Sequence, residues 1–378
     1  MKKFISSLLK QSVASLIALM AVIASLSGPA QAGIRITDVL GRHVVLHKPA
    51  QRLVLGFYFE DYIAITGPGA IDRLVGISLN YWQGYRPRQY EAYLARFPAI
   101  AGLVDIGDVD KGSLSAEKII AARPDAVILA ASQFDYLGPA VEKIEAFGVP
   151  VVVVDYNAQT LEKHLASTRI IGQVMGSEGR AQQLATEYKT AVEDTERRVA
   201  SAAQATKPNV YVELGQQGSA EYGNSYGKGM WAGVIDMAGG ANIAAGKIAG
   251  WGPLTPEYVV ASRPDVILVT GSEWMTMPNA VLMGFGIDAT TTREKLRPYL
   301  ARAGWNTLPA VRQGQVYAIY HGGTRTIYDY VYLRYIAKIL YPQAFKDVEP
   351  QEELRRYYRT YLPLMPDGTF MLRLESRS

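Results

Sequence analysis

Residues 114–129 read LSAEKIIAARPDAVIL, and residues 254–269 read LTPEYVVASRPDVILV. Leu, Glu, Ala, Arg, Pro and Asp are identical at aligned positions, and most other positions are conservative swaps. Each copy opens with a helix-start signal, Ser115 or Thr255 as N-cap, with Pro256 at the first helical position of the second. A short amphipathic helix follows and stops at Arg-Pro-Asp, because Pro124 and Pro264 cannot continue it. The uninterrupted apolar runs Ala126–Ala130 and Val266–Thr270 then read as strands buried on both faces. One αβ unit written twice requires two similar halves in one chain.

The surroundings repeat the alternation. Strands are expected at Leu53–Leu55, Leu74–Ile77, Val127–Ala130 and Val151–Val154, with helices near Asp61–Thr66, Arg88–Arg96 and Gly138–Phe147. The second half gives strands at Val210–Leu214, Val266–Val269 and Val316–Ile319, with helices near Trp231–Ala238 and Tyr328–Leu340. Such alternation implies parallel sheets with helices on both faces. Residues 177–203 have no Pro and no Gly after Gly179, and place Ala181, Leu184, Ala185, Tyr188, Ala191, Val192 and Val199 at helical spacing. A helix of about 25 residues spans about 38 Å at 1.5 Å per residue, enough to bridge two lobes and to restrict their relative motion. The expected fold is α/β: two Rossmann-like lobes (33–176 and 204–345), joined by one long helix (177–203), then a helical tail packed on one lobe (346–378).

At the start, Lys2, Lys3 and Lys10 precede an apolar stretch from Val13 to Leu26, and Ala30-Gln31-Ala32 offers the small-x-small pattern of a signal-peptidase site. Residues 1–32 therefore read as a cleaved secretory signal, the alternative being an uncleaved membrane anchor. Without those lysines, the 39 basic residues all but balance the 35 acidic ones, which gives no electrostatic reason to expect nucleic acid. The chain has no Cys, which excludes disulfides, thiolate metal sites and cysteine nucleophiles. Hydrophobic residues at 49% and charged residues at 20% fit a folded exported protein, and the expected compartment is a Gram-negative periplasm.

The order signal, lobe, long helix, lobe resembles the periplasmic substrate-binding proteins of ABC importers for ferric siderophores, haem and cobalamin. Ile36–Val54 is similar to that family's opening strand pair, followed by Pro-Ala-x-Arg and the first buried strand. The paired Glu117 and Glu257 resemble its acidic residues, one per lobe, that meet arginines on the membrane permease. Helix macrodipoles also favour carboxylates at these positions without any partner. The resemblance implies a monomer that works with a permease and its ATPase and does no chemistry on its cargo. No cofactor, resident metal or catalytic residue is expected.

Ligands of doubly wound sheets bind beyond the carboxyl ends of the strands. The loops expected there supply Tyr58, Tyr81, Trp82, Arg86 and Tyr156 from the first half, and Tyr222, Tyr226, Trp274, His321 and Arg325 from the second. Tyr occurs 24 times against 9 Phe, so the aromatic supply favours rings that also hydrogen-bond. Such walls with Arg86 and Arg325 suit an anionic metal chelate, although each arginine also suits a solvated surface. A ferric siderophore ranks first, haem second and a corrinoid third. A metal oxyanion such as molybdate, held by Arg325, His321 and Tyr residues, remains open. For haem, the axial ligand is His321 or one of Tyr58, Tyr81 and Tyr222. His43 and His47 read as strand residues, and His164 as part of a polar helix. Gly223–Gly227 satisfies GxSxG, with Asp265 or Asp288 and then His321 in hydrolase order, but no strand runs straight into it. An exported serine hydrolase is the distant alternative.

Overall fold

A computed structural model describes residues 33–202 and 206–375. The signal-peptide reading falls on residues 1–32 and lies outside the described residues. No helix among the described residues is long and apolar enough to cross a membrane.

Two five-stranded sheets form the scaffold. The first runs in the spatial order Val104–Asp105, Leu74–Ile77, Leu53–Leu55, Ala126–Ala130, Val151–Val154, and every pairing is parallel. The second runs Ala241–Asn242, Asn209–Leu214, Val266–Gly271, Val316–Tyr320, Met371–Arg373. Its first three pairings are parallel and the last is antiparallel. In the first sheet the winding reverses between Leu53–Leu55 and Ala126–Ala130. The chain leaves Leu53–Leu55 to build outward on one side and later returns to build on the other. That reversal opens a crevice at the carboxyl ends of the strands.

The duplicated Arg-Pro-Asp has the same structural work in both halves. Arg123 and Arg263 take φ of +50° and +44°, ending the helices Ala116–Ala121 and Pro256–Ala261 before the proline. Asp125 then accepts from the amides of Gln51 (2.9 Å) and Arg52 (3.0 Å), at the start of the neighbouring strand. Asp265 accepts from the amide of Asn209 at 2.8 Å, the equivalent position. Arg52 also donates from Nη2 to Ala122 O (2.9 Å) and from Nε to Arg123 O (2.8 Å), filling carbonyls at the helix end. One triplet therefore stops a helix and sets the start of two strands.

The long helix runs Glu178–Ala202, and its buried face is Ala181, Leu184, Ala185, Tyr188, Ala191, Val192 and Thr195. It pairs with the helix Leu161–Met175 as a hairpin turned at Gly176, whose φ is +69°. A Cβ on Gly172 would sit 2.5 Å from that of Ala181, so glycine lets the two helices close up.

The tail differs from the expectation of a helix packed on one lobe. Its helix Pro350–Tyr361 packs on the helix Tyr330–Leu340 of the second lobe and on Phe59–Thr66 of the first, while Met371–Arg373 joins the second lobe's sheet beside Val316–Tyr320. A three-residue strand is too short for alternation to mark it. The segments after the second and third strands, expected as loops, are also largely helical: Leu79–Tyr85 and Ala131–Leu137.

Candidate functional site

The crevice holds a cavity of about 80 Å³, lined from Leu55–Asp61, Ile77–Ser78, Tyr81, Trp82, Arg86 and Gln89 on one side and from Gly322, Thr324–Thr326 and Tyr328 on the other. One water needs about 10–15 Å³ on this scale, so the cavity holds several waters or one compact anion. Gly56 lets its wall form, since a Cβ there would lie 2.0 Å from Oε1 of Gln133. Gln133 plugs the floor by donating to Gly56 O (3.1 Å) and Ser78 Oγ (3.3 Å).

Of the ten candidate ligand residues, five line this cavity: Tyr58, Tyr81, Trp82, Arg86 and Arg325. Tyr58 and Arg325 both have left-handed backbones, with φ of +64° and +66°. Such conformations in non-glycine residues persist where the surroundings enforce them. Tyr58 donates its hydroxyl to Asn157 Oδ1 at 2.8 Å, and burial pushes its phenol far above the usual range, so it stays neutral. Trp82 donates to Gln89 Oε1 at 2.9 Å. Tyr81 lies between the rings of Phe57 (5.3 Å) and Tyr85 (4.6 Å).

The arginines carry the electrostatics. Arg325 Nε and Nη2 are buried and have no hydrogen-bond partner among the described residues. Its guanidinium sits over the Phe57 ring, 5.4 Å from the centroid. Arg86 forms no ion pair among the described residues and lies over the Tyr320 ring at 5.8 Å. Burial opposes its charge, yet Tyr320, Tyr81, Tyr328 and Glu60 hold its pKa above the ordinary value. Two fixed cations with free N–H groups therefore face one small space, an arrangement that wants an anion.

His321 follows the strand Val316–Tyr320, flanked by the rings of Tyr226 (6.4 Å) and Trp274 (5.8 Å). Burial first, then Arg325 and Arg86, depress its pKa well below the usual histidine value, so the ring is neutral. Trp231 Nε1 and Thr270 Oγ1 each lie 3.5 Å from Nδ1. An indole N–H can only donate, so Nδ1 accepts and the ring proton belongs on Nε2. His321 is thereby a donor at Nε2 and ill suited as an axial metal ligand through that atom.

His321 and Tyr226 stand outside the cavity lining, and so do the other three candidates. Tyr156 packs edge-on behind Tyr58 and bonds Thr168 at 2.9 Å. Tyr222 accepts from Trp305 Nε1 at 2.8 Å and stacks on Arg302, which is locked to Glu213 at 2.6 and 2.8 Å. Trp274, beside His321, belongs to a small apolar cluster with Leu214 and Ala280. Placing these rings needed the loop paths, which spacing does not carry.

Acidic residues make up what sequence reasoning missed. Glu60 accepts from the hydroxyls of Tyr93 (2.9 Å), Tyr328 (2.9 Å) and Tyr358 (3.0 Å). Burial raises its pKa, against the pull of Arg86 and the three phenols. Asp61 accepts from Ile327 N at 2.7 Å, and burial raises it well above the usual value. His164, read as part of a polar helix, is fully buried and meets Asp329 Oδ2 at 2.9 Å. The Glu60-Asp61 doublet was the available signal, but it also reads as an ordinary first helical turn.

The hydrolase constellation is dispersed. Ser225 is buried within a strand and donates to Val212 O at 2.6 Å, Asp265 holds Asn209 N, and Asp288 caps its own helix at Thr291 N. Glu117 and Glu257 are both exposed, each the second residue of a six-residue helix.

A family model described as periplasmic binding protein matches residues 55–321. The crystal structure of the TroA-like periplasmic binding protein FepB from Veillonella parvula is 32% identical, covering 90% of this chain and 100% of that one with a TM-score of 0.83. The molybdate periplasmic binding protein MolA of Haemophilus influenzae, solved bound to molybdate, is 19% identical over 88% of this chain and 99% of its own, with a TM-score of 0.67, a likeness of fold alone. An uncharacterized ABC transporter substrate-binding lipoprotein of Bacillus subtilis, YvrC, is 24% identical over 83% of this chain and 87% of its own.

Proposed function

Since the chain belongs to the periplasmic binding protein family, we propose that it is the substrate-binding component of an ABC importer whose cargo is a compact metal oxyanion of the size and charge of molybdate. The observation that carries this reading is the pair Arg86 and Arg325, neither in an ion pair among the described residues, facing a cavity of about 80 Å³. A tetrahedral oxyanion offers acceptors in every direction, matching two guanidinium forks. Fixed cations bind an anion without any protonation step.

The second reading keeps a ferric siderophore as cargo. The aromatic wall of Phe57, Phe59, Tyr81 and Trp82 favours it, since an oxyanion has no use for so much apolar surface. A siderophore is larger than the cavity, so in this reading the chelate extends beyond it toward solvent or the lobes part. Haem and corrinoids need still more room, and the proton placement on His321 weighs against haem.

Titrating tryptophan fluorescence with molybdate, a ferric catecholate, haemin and cyanocobalamin separates these cargoes. Saturable quenching by molybdate and none by haemin or cyanocobalamin is expected. Tight binding of the ferric catecholate with no response to molybdate overturns the first reading in favour of the second.

Delivery is assigned to Glu117 and Glu257, exposed at matching positions on the two lobes, which present carboxylates to arginines of a permease with its ATPase. The chain is read as a periplasmic monomer, exported through residues 1–32. Charge reversal at both glutamates is expected to abolish uptake with ligand affinity intact, and continued transport by the double Lys variant removes the docking role.

A further inference from the structure

Beside each cavity arginine, the backbone is held by a side chain of the opposite lobe: at Tyr85, Arg88 and Gln89 around Arg86, and at Arg325 itself. Glu273 follows the strand Val266–Gly271 of the second lobe and is fully buried. Its Oε2 accepts from the amides of Arg88 (2.8 Å) and Gln89 (3.0 Å), and Oε1 accepts from Phe285 N (3.3 Å). Arg88 and Gln89 begin the first-lobe helix Pro87–Arg96, whose N-cap residue is Arg86. Ser272 adds a bond to the preceding turn, donating to Tyr85 O at 3.3 Å.

Gln159 does the converse. It stands at the end of the first lobe, buried, and its Oε1 accepts from Thr324 Oγ1 (2.8 Å) and Arg325 N (3.3 Å) of the second. Its Nε2 donates to Asp329 Oδ2 at 2.6 Å, and Asp329 also holds His164 Nε2 and Tyr188 Oη, each at 2.9 Å. Gln159 and Arg325 both have positive φ, +54° and +66°. Backbones of that kind hold where surrounding contacts over-determine them.

Simple electrostatics does not account for Glu273. A carboxylate beside Arg86 weakens an anion site, and burying it is unfavourable in itself. We propose that Glu273 and Gln159 are positioning residues that form a reciprocal clasp. Closure of the lobes sets the turn bearing Arg86 and the loop bearing Arg325, so the anion site is assembled by the same contacts that shut the cleft. The proposal rests on the anion reading of the cavity.

The test uses the mature full-length protein and three variants: Glu273→Ala, Glu273→Gln and Gln159→Ala. Molybdate affinity is measured by fluorescence, and amide hydrogen exchange is followed without ligand over Tyr85–Gln89 and Thr324–Thr326. Glu273→Ala is expected to weaken molybdate binding by about tenfold or more, the scale of losing two charge-assisted hydrogen bonds. The same variant should speed exchange at Arg88 and Gln89. Glu273→Gln keeps an acceptor for those amides and should stay within about threefold of wild type. Gln159→Ala should weaken binding and loosen Thr324–Arg325. Charge alone predicts the opposite sign, with both Glu273 variants binding more tightly. Molybdate binding by Glu273→Ala equal to or tighter than wild type, or unchanged exchange at Arg88 and Gln89, overturns the clasp. A wild-type protein that ignores molybdate while exchange still responds refutes the anion reading and leaves the clasp standing.

Discussion

Tyr358 donates its hydroxyl to Glu60 at 3.0 Å, joining the tail to a carboxylate on the cavity wall across a sequence separation of 298 residues. The same tail supplies Met371–Arg373 to the second lobe's sheet. It is therefore a strap across both lobes. Tyr358→Phe should cost about 1–3 kcal/mol, the usual worth of a hydrogen bond to a charged group, because Tyr93 and Tyr328 still serve Glu60. Ending the chain at residue 349 removes the buried Leu354, Tyr357, Tyr358 and Tyr361 with the edge strand and should cost several times more. Urea denaturation measures both. A truncated protein as stable as the full chain rules the strap out.

How much of this was legible varies from residue to residue. The Arg-Pro-Asp copies were, because helix stop, left-handed turn and strand-start bond are all local or one strand away. Elements with period or continuous apolar runs were read within one or two residues, as with Glu178–Ala202. The Glu60–Tyr358 bond was not, since a carboxylate and a distant phenol leave no pattern at any spacing. Five of the ten candidate ligand residues line the cavity, because residues that follow parallel strands converge at the carboxyl end of the sheet. Tyr222 lies outside the cavity lining for a physical reason: its ring packs on Arg302, which is buried beside Tyr299 and Trp305.

Arg325 sets binding against stability. Its buried Nε and Nη2 have no partner among the described residues, which is unfavourable unless a ligand supplies one. Arg325→Met should therefore leave the melting temperature unchanged or raise it, while weakening anion binding by roughly 10- to 100-fold. Arg86→Met should weaken binding on the same scale. Calorimetry on the two variants gives both quantities, and a destabilised Arg325→Met that binds normally would show the guanidinium to be structural.

His321 provides a spectroscopic check. Its pKa is depressed well below 6.5 by burial, with Arg325 and Arg86 adding to the effect. The folded ring therefore stays neutral where the unfolded one gains a proton, so its contribution to stability is present above the unfolded pKa and lost as pH falls. The His321 Cε1 proton resonance should not shift between pH 5 and 8, and its nitrogen shifts should report a proton on Nε2. A shift with a midpoint near pH 6.5 contradicts the neutral, donating ring.

Glu273 predicts a pH dependence of the other sign. Burial, opposed by the Gln89 amide, Arg86 and the Arg88 amide, raises its pKa from 4.5 to about 7. Between those values the native state keeps a proton that the unfolded chain releases, so this residue makes the protein less stable as pH rises. The full effect is on the order of 3 kcal/mol, taking about 1.4 kcal/mol per pKa unit. Glu60 and Asp61, also raised, act in the same direction, and His321 acts against them. The Glu273 share is isolated by comparing wild type with Glu273→Gln, which shares every other titrating group. Unfolding free energies at pH 5 and pH 8 should show wild type losing more stability than the variant on going to the higher pH. Equal losses in the two proteins mean that Glu273 is already ionised at pH 5, its charge satisfied by the helix amides and Arg86.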